Sequence, residues 1–490
     1  MLMKRIQMGQ YFTQETYSSA DFSEFNRRLH QQLEELKHTL NTPNFSSGQA
    51  SIGAELEMYL IDKNGLPIAE NVNLLRKMNH PQLTEELNQY NLEYNLSPVV
   101  AAGKPFTTMS KELISVLDRL DNEAHKLDTR IVPIGILPTL KEQHLDRVFL
   151  TELPRYRALT KQLSTPDGSP FSVDINGKDS LQLLTDDVIL EGANTSFQTH
   201  FKVPADQFAN LYNAAQLITP LVLALAGNSP TCMGKRLWQE TRIALFKQSI
   251  DSRIMSDQSW RRPPRVCFGQ GWVRQGAWEL FAENVHLFKP LLPVLSQDNE
   301  DFFELGMHHG TVWSWNRPVF EPKHGGHLRI EYRAFPAGPT VVDMMANAAL
   351  AIGLTQALSG DIENYLSKLP FHYAEYNFYR TAQHGLDAKI IWPQEKQSQL
   401  CECDISTVIE QILPKAAQGL ADLNLDSAEI NYYLSVVEAR LANGQTGAKW
   451  QFNSLEKYKL KYSSEDSLNL MLNDYIQNMR SGEPVSTWQY

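Results

Sequence analysis

The feature that most constrains the fold is residues 51–62 (SIGAELEMYLID), where apolar residues alternate with glycine, glutamate and tyrosine. Side chains of a β-strand point alternately to the two faces of a sheet, so this pattern predicts a strand with one wholly apolar face. Glu55 and Glu57 share the other face. Two carboxylates this close repel each other, and a bound cation removes that repulsion. The segment therefore predicts a strand that presents metal ligands.

Three further segments show the same alternation: residues 91–98 (NLEYNLSP), 194–203 (NTSFQTHFKV) and 328–335 (LRIEYRAF). An antiparallel sheet with one face in water also produces this pattern, and for any single strand that alternative stays open. The four polar faces together favour a binding site, because they carry few of the Lys, Thr and Ser residues typical of solvated faces. They carry Glu55, Glu57, Glu93, Gln198, His200, Arg329, Glu331 and Arg333.

These residue types indicate the chemistry of the predicted site. Oxygen-rich ligand sets favour hard cations such as Mg²⁺, with Mn²⁺ as an alternative. Arginines grip phosphate or carboxylate groups through two parallel hydrogen bonds. Carboxylates, arginines and a metal ion on one sheet face predict phosphoryl transfer.

Composition excludes some partners. The formal net charge of -11 argues against nucleic acid, although a local basic pocket can still hold ATP. The longest apolar run, residues 217–227, contains Pro220 and is too short to span a bilayer, so it predicts a buried helix. No signal-peptide pattern is visible at the start, and the expected location is the cytoplasm, with no membrane partner.

The chain divides into three predicted parts: an N-terminal helical arm (1–48), a catalytic core (49–360) and a mainly helical C-terminal part (361–490) that packs on the core. Helical spacing runs through residues 22–40 of the arm. In the last part, residues 405–423 and 427–441 are predicted helices, the first broken or kinked near Pro414.

Several motifs in order resemble glutamate–cysteine ligase family 2, including its carboxylate–amine ligase group. They are GAELEMYLID, LEYNLSP, PIGILPTL, TSFQTHFKVP, GNSP with RIALF, IEYRAFPAGPTVVDMMANAAL and FYRTAQHGLDAKI, and they cover about residues 50–450. The resemblance implies a glutamine synthetase-like α+β fold: a curved antiparallel sheet forms a catalytic cup, with helices packed on its outer face.

The resemblance also implies roles for individual residues. Arg333 neutralises the transferred phosphoryl group, and Arg242 lies near the amino-acid substrate. An early acidic ligand of some relatives corresponds to Glu85 or Glu86, and the sequence does not decide between them. The implied metal ligands are Glu55, Glu57, Glu93, Gln198 and Glu331. Nucleotide contacts are expected from Arg329, His200, Arg380 and Lys389, the last two having surface salt bridges as an equal alternative.

The implied function is an ATP- and Mg²⁺-dependent ligase that joins an amino acid's carboxylate to an amine through an acyl phosphate. Glutamate and cysteine, the first substrates of glutathione biosynthesis, are the default pair. The alternative is an inactive relative that binds a nucleotide or an amino acid without turnover. The chain contains no P-loop, G-x-S-x-G or G-x-G-x-x-G motif, which agrees with a ligase that needs no covalent nucleophile. A homo-oligomer is conceivable from an edge strand or the C-terminal helices.

Overall fold

The fold was analysed in a computed structural model that describes residues 14–43, 45–163, 165, 168–253, 262–297, 300–323, 325–393 and 400–490. The first half of the described chain contains α1 (Ser19–Leu40), β1 (Ser51–Ile61), α2 (Asn71–Met78), β2 (Leu83–Glu85), β3 (Asn91–Asn95), β4 (Val99–Val100), α3 (Pro105–His125), β5 (Arg130–Val132), α4 (Pro154–Gln162), β6 (Phe171–Asn176), β7 (Ser180–Thr185), α5 (Ile189–Gly192), β8 (Phe197–Val203), α6 (Phe208–Ala226), β9 (Thr231–Cys232), β10 (Lys235–Arg236) and α7 (Arg242–Ser249).

The second half contains β11 (Val266–Cys267), α8 (Ala277–Leu287), α9 (Phe303–His309), β12 (Trp313–Ser314), β13 (Asn316–Glu321), β14 (His327–Tyr332), α10 (Val341–Ser359), α11 (Ile362–Leu366), α12 (Phe371–His384), β15 (Lys389–Pro393), β16 (Leu400–Asp404), α13 (Ile405–Asp422), α14 (Ser427–Asn443), α15 (Gly447–Lys459) and α16 (Ser464–Ser481).

The central sheet has the order β13-β14-β8-β1-β3-β2, and β4 and β5 pair with the two ends of β1. Every pairing in it is antiparallel, and the sheet curls into a half-barrel. The four predicted strands are β1, β3, β8 and β14, and they lie side by side. The predicted α+β fold with a curved antiparallel sheet is therefore confirmed.

Burial along β1 follows the predicted alternation. Ile52, Leu56 and Met58 are fully buried in the main core and Ala54 nearly so, while Gly53, Glu55 and Glu57 face the other side of the sheet. Residues of α3, α6 and α10 belong to the same core and cover the apolar face of the sheet. This apolar packing fixes the register of the strands, because a slip of one residue would turn the glutamates into the core.

Two of these covering helices are long and apolar enough to span a membrane by composition alone. They correspond to residues Ala205–Ala226 and Val341–Ser359, of which 89% and 83% are buried inside the protein. Their apolar surface is therefore used in the core of the fold, and the predicted burial of residues 217–227 is confirmed.

The terminal parts pack against the centre. Helix α1 contacts α8 and α9, and Arg28 reaches the buried carboxylate of Glu304 at 3.2 Å. Helices α13 and α14 contact α10, while α15 and α16 join a second core with β1 and β5. The boundaries at residues 48 and 360 stay predictions.

The predicted break near Pro414 is wrong, and the alternative, a kink there, stays a prediction. Pro414 lies inside α13, which runs from Ile405 to Asp422 as a single helix. A proline inside a helix removes one backbone hydrogen bond, at a cost of about 3 kcal/mol. The buried side chains of Ile409, Ile412 and Leu413 offset that cost, since they pack this helix into the main core.

Candidate active site

The polar face of the sheet brings the predicted residues of four strands together. In the strand register, Glu57 lies opposite Glu93, Glu55 opposite Gln198, and His200 opposite Glu331. Gln198, His200 and Glu331 are only 3%, 6% and 2% exposed. Such burial excludes a water-facing sheet surface, and polar groups buried in this way need specific partners.

Three carboxylates form one group, which we call the carboxylate cluster: Glu57, Glu86 and Glu93. One oxygen of each lies within 4.8 Å of the others. Of the two candidates Glu85 and Glu86, Glu86, directly after β2, is the one that lies with Glu57 and Glu93, and its role as a metal ligand stays a prediction. Glu57 is held by the backbone N–H of Ser196, which donates to its Oε2 at 2.7 Å.

Electrostatics in the carboxylate cluster disfavour full ionisation. Burial is the main cause that raises the pKa of Glu93, to about 8, and the charges of Glu55 and Glu57 add to it. The pKa of Glu86 is also well above its usual range, through burial and then repulsion by Glu93 and Glu57. Burial raises the pKa of Glu57 as well, against the opposing charges of Arg242 and Arg333. A cation would remove this penalty.

A second group, the histidine cluster, consists of Glu55, His200 and Glu331. His200 Nε2 lies 3.4 Å from Glu55 Oε1 and 3.7 Å from Glu331 Oε1. This nitrogen is buried and forms no hydrogen bond with any residue in the described part of the chain. On the other side of the ring, Arg329 Nε donates to His200 Nδ1 at 3.0 Å.

Arginines neutralise the histidine cluster. Arg317 on β13 binds Glu331 with both ends of its guanidinium group: Nε donates to Oε2 at 2.6 Å and Nη2 to Oε1 at 3.1 Å. Arg333 Nη1 lies 3.4 Å from Glu331 Oε2. Burial acts to raise the pKa of Glu331, but Arg317, Arg333 and His200 outweigh burial and hold that pKa well below its usual range.

Gln198 connects the two clusters. Its Nε2 donates to Glu57 Oε1 at 2.8 Å, and its Oε1 accepts a hydrogen bond from Arg333 Nη1 at 2.6 Å. The amide thus holds Arg333 beside Glu57. Gln198 belongs to neither acidic group, and its predicted role as a metal ligand stays a prediction.

The donor set fits a hard divalent cation. The carboxylate cluster offers three carboxylate oxygens that repel one another, and the histidine cluster offers two more beside an imidazole nitrogen without a hydrogen-bond partner among the described residues. Oxygen ligands of this kind suit Mg²⁺ or Mn²⁺. The residues that would hold such ions are Glu57, Glu86 and Glu93 at one position and Glu55 and Glu331 at the other.

A small cavity of about 40 Å³ adjoins the carboxylate cluster and is partly lined by it. Arg242, the first residue of α7, lies in its wall and is 2% exposed. Its Nη1 donates to Glu240 Oε1 at 3.2 Å and to the carbonyl oxygen of Ala334 at 3.1 Å. The cavity is lined by Glu57, Glu86, Asn91, Glu191, Gly192, Asn194, Thr195, Ser196, Arg242, Phe246, Trp315 and Arg333.

Two residues predicted to contact the nucleotide, Arg380 and Lys389, lie away from this cavity. Arg380 lies on α12, where its Nη1 donates to Gln383 Oε1 at 3.3 Å. Lys389 is exposed at the start of the β15–β16 hairpin, paired with Asp404 in the strand register. Neither residue lines the cavity, and their contact with nucleotide stays a prediction.

Three residues of the site lie outside the sequence-derived set. Glu191 is in the short helix α5, Arg317 on β13, and Trp315 precedes that strand. Burial and then the charge of Glu57 raise the pKa of Glu191 to about 7. None of the three lies in one of the alternating segments. The sequence RPVFE, which follows Trp-Asn, is typical of a strand and could have placed Arg317 on one. It does not indicate that Glu331 is the partner of Arg317.

The chain is similar to a known protein family and to solved structures. The model of glutamate–cysteine ligase family 2 (GCS2) matches residues 51–465. The crystal structure of glutamate–cysteine ligase from Francisella tularensis, in complex with AMP, is similar with a TM-score of 0.56. At 12% identity, the match covers 89% of this chain and 90% of that one.

A bifunctional glutathione synthetase from Pasteurella multocida is similar with a TM-score of 0.54 and 11% identity. The match covers 91% of this chain but only 54% of that larger chain. At such identities the likeness shows the fold alone, which is the predicted glutamine synthetase-like architecture. No curated protein sequence matches the chain.

Proposed function

The chain belongs to glutamate–cysteine ligase family 2, and from this membership we propose that it is an ATP-dependent carboxylate–amine ligase. The observation that carries the proposal is the buried sheet face, where two acidic clusters flank Arg333. An inactive relative would be expected to lose some of these groups, because burying unused charges costs stability.

The proposed reaction has two steps. A carboxylate oxygen of one substrate attacks the γ-phosphorus of ATP; the bond to the β-γ bridging oxygen breaks, ADP leaves, and an acyl phosphate remains. The amine of the second substrate then attacks the acyl carbon, inorganic phosphate leaves with the C–O bonding pair, and the amine loses a proton. The protein has to position the reactants and stabilise charge.

Individual residues have distinct proposed tasks in these steps. Arg333 faces the charge that develops on the transferred phosphoryl group, and Gln198 orients its guanidinium group. Glu57, Glu86 and Glu93, with Glu55 and Glu331, would hold Mg²⁺, or alternatively Mn²⁺. When bound, such ions neutralise the phosphate oxygens of ATP.

Nucleotide binding, substrates, location and assembly complete the proposal. Nucleotide binding agrees with the AMP-bound similar structure, and the proposed nucleotide contacts are Arg329 and His200, which are hydrogen-bonded to each other. Glutamate and cysteine remain the default substrates. Cytoplasmic location, small-molecule partners and a homo-oligomer are part of the same proposal.

The proposal can be tested by ADP release with Mg²⁺, ATP and pairs of amino acids and amines, with the ligated product identified by mass spectrometry. We expect substrate-dependent ADP formation, lost in Glu55→Gln while the fold is retained. Glu402→Gln, an exposed glutamate of the β15–β16 hairpin, is the matched control and should turn over normally. Absence of ADP with every pair, or normal turnover by Glu55→Gln, would contradict the proposal.

A further inference from the structure

The C-terminal helices α15 and α16 are connected to the cavity wall by a series of buried hydrogen bonds. At the cavity end, Arg242 Nη1 donates to Glu240 Oε1 at 3.2 Å. Glu240 is fully buried, and its other oxygen accepts a hydrogen bond from the backbone N–H of Asn228 at 2.9 Å. The carboxylate of Glu240 therefore links the guanidinium group of Arg242 to the backbone at Asn228.

The side chain of Asn228 continues this connection to both C-terminal helices. Its Oδ1 accepts a hydrogen bond from Gln451 Nε2 on α15 at 2.8 Å, and its Nδ2 donates to the hydroxyl of Tyr475 on α16 at 2.8 Å. The same Nδ2 donates to the carbonyl oxygen of Ala337 at 2.7 Å. Asn228, Gln451 and Tyr475 are fully buried, so these hydrogen bonds fix the position of the amide.

A glycine at the start of α15 allows this helix to approach Asn228 closely. A Cβ atom on Gly447 would lie 2.2 Å from Asn228 Oδ1, far inside an ordinary contact distance. The next residue, Ala448, donates its backbone N–H to the carbonyl oxygen of Gly227 at 2.8 Å. The beginning of α15 is therefore packed directly on the chain segment that holds Glu240.

The ion pair between Arg242 and Glu240 depends on this packing. Burial raises the pKa of Glu240, while the charge of Arg242 and the N–H of Asn228 oppose that rise. Displacement of Asn228 would favour the neutral acid, which cannot balance the buried guanidinium group. The other hydrogen bonds of that group go to the carbonyl oxygens of Ala334 and Arg333, at 3.1 and 3.4 Å, and neither acceptor is charged.

We propose that Glu240 is a positioning residue, which fixes the guanidinium group of Arg242 in the cavity wall. Asn228 holds Glu240 in turn, and the C-terminal helices fix Asn228. The C-terminal part of the chain thereby organises the site, although none of its residues lines the cavity. The geometry carries this inference by itself, and only its kinetic consequence rests on the proposed ligase function.

The environment of Arg242 can be observed by NMR on the full chain without a ligand. With ¹⁵N-labelled arginine, a buried guanidinium group gives a separate Nε–H signal, and that of Arg242 is identified by its loss in Arg242→Lys. We expect Gly447→Ala and Gln451→Met to shift this signal. The first variant places a methyl group against Asn228, and the second removes the donor to its Oδ1.

Each of these variants has a matched control. Gly360→Ala is the control for the glycine, because a Cβ atom on Gly360 meets no other atom within 4 Å. Gln418→Met is the control for the glutamine, because Gln418 is exposed on α13. Both controls should leave the Arg242 signal unchanged. Thermal unfolding of every variant verifies that the fold is retained.

The kinetic consequence is selective for one substrate. Glu240→Gln should raise the KM for the amino-acid substrate by about tenfold, with the KM for ATP within about twofold, because it weakens a charge-assisted hydrogen bond. Gln451→Met should raise the same KM by about threefold. In an Arg242→Lys background, Gln451→Met should add nothing, because both changes then act through one group, whereas a purely structural role predicts additive losses.

The outcomes separate this inference from the proposed function. A shifted Arg242 signal in Gly447→Ala or Gln451→Met, with unchanged controls, supports the inference. An unshifted signal in both variants, equal shifts in their controls, or loss of the fold in both would overturn it, the last because the contacts would then serve folding alone. Absence of ADP release by the wild type with every substrate pair would overturn the proposed ligase and leave the NMR result standing.

Discussion

The carboxylate cluster and the histidine cluster lie on the same sheet face, yet their charges are balanced in opposite ways. Along β1, Glu57 belongs to the first and Glu55 to the second. In the carboxylate cluster, burial and mutual repulsion raise the pKa of Glu93 to about 8. In the histidine cluster, arginines hold the pKa of Glu331 well below its usual range.

The difference comes from the neighbouring strands. On one side, β3 and the segment after β2 bring Glu93 and Glu86 to Glu57, and neither of these two segments carries a lysine or an arginine. On the other side, β13 supplies Arg317 opposite Glu331 in the strand register. The carboxylate cluster therefore needs an external cation, while the histidine cluster is largely neutralised by the protein itself. One sheet thus combines a site that depends on a cation with a site organised before any cation binds.

The largest expected effect is on the histidine cluster. Arg317→Met leaves Glu331 buried without its bidentate partner, and breaking a buried pair from one side costs about 3–5 kcal/mol. We expect the free energy of unfolding, measured by urea denaturation, to fall by that amount. The double variant Arg317→Met/Glu331→Leu should recover most of it, because no buried charge is left unpaired.

An exposed pair serves as control for this prediction. Arg274 pairs with Glu279 at 3.3 Å, but the Arg274 side chain is 85% exposed. Surface ion pairs contribute about 0–1 kcal/mol, so Arg274→Met should change stability little. Equal losses in Arg274→Met and Arg317→Met would show that the protein does not neutralise the histidine cluster in the way described.

In the carboxylate cluster, we expect a substitution to raise the free energy of unfolding, by less than the loss predicted for Arg317→Met. A carboxylate whose folded-state pKa is raised contributes stability that is complete below its unfolded pKa and is lost as the pH rises towards the folded value. For Glu93 the window runs from its ordinary value of 4.5 to about 8. In the presence of EDTA, Glu93→Gln should become more stable than the wild type on going from pH 5 to pH 8, by roughly 1–3 kcal/mol.

Two comparisons check the cause of that gain. Mg²⁺ at pH 8 should stabilise the wild type more than Glu93→Gln, because the ion replaces the lost proton. Glu331→Gln should lose stability at pH 8, since a carboxylate with a lowered pKa contributes stability above its unfolded pKa that is lost as the pH falls. Shifts of the same sign in both glutamine variants would remove the distinction between the clusters.

Much of the sheet was predictable because its physical signal is local. Alternation of apolar and polar residues defines a strand within a few positions: β1, β3 and β8 lie within predicted segments, and β14 begins one residue before its own. The shared polar face followed from the same pattern. The proposed metal-ligand residues on β1, β3 and β14 were therefore visible as residue types before their neighbours were known.

The remaining site residues were not predictable from such a pattern. Glu86 and Glu191 lie in the segment after β2 and in a short helix, where no periodicity indicates the direction of a side chain. The pairing of Arg317 with Glu331 depends on the register of β13 and β14. The two hydrogen bonds of Gln198 require both neighbouring strands to be in place. These are long-range contacts, set by tertiary packing.

The smallest expected effect concerns the nitrogen at the centre of the histidine cluster. Arg329 Nε donates to His200 Nδ1 and so holds the ring with Nε2 towards Glu55 and Glu331. Arg329→Gln weakens that control of the ring orientation and removes a charge near the proposed nucleotide. We expect the KM for ATP to rise by about three- to tenfold, from the loss of roughly one charge-assisted hydrogen bond, with stability within about 0.5 kcal/mol. Arg329→Lys should recover the charge but not the planar donor.

Steady-state kinetics of the two variants therefore separate the contribution of the charge from that of the hydrogen bond to His200. An unchanged KM for ATP in both variants would mean that the histidine cluster is organised without Arg329, and that Arg317 and Arg333 alone distinguish it from the carboxylate cluster.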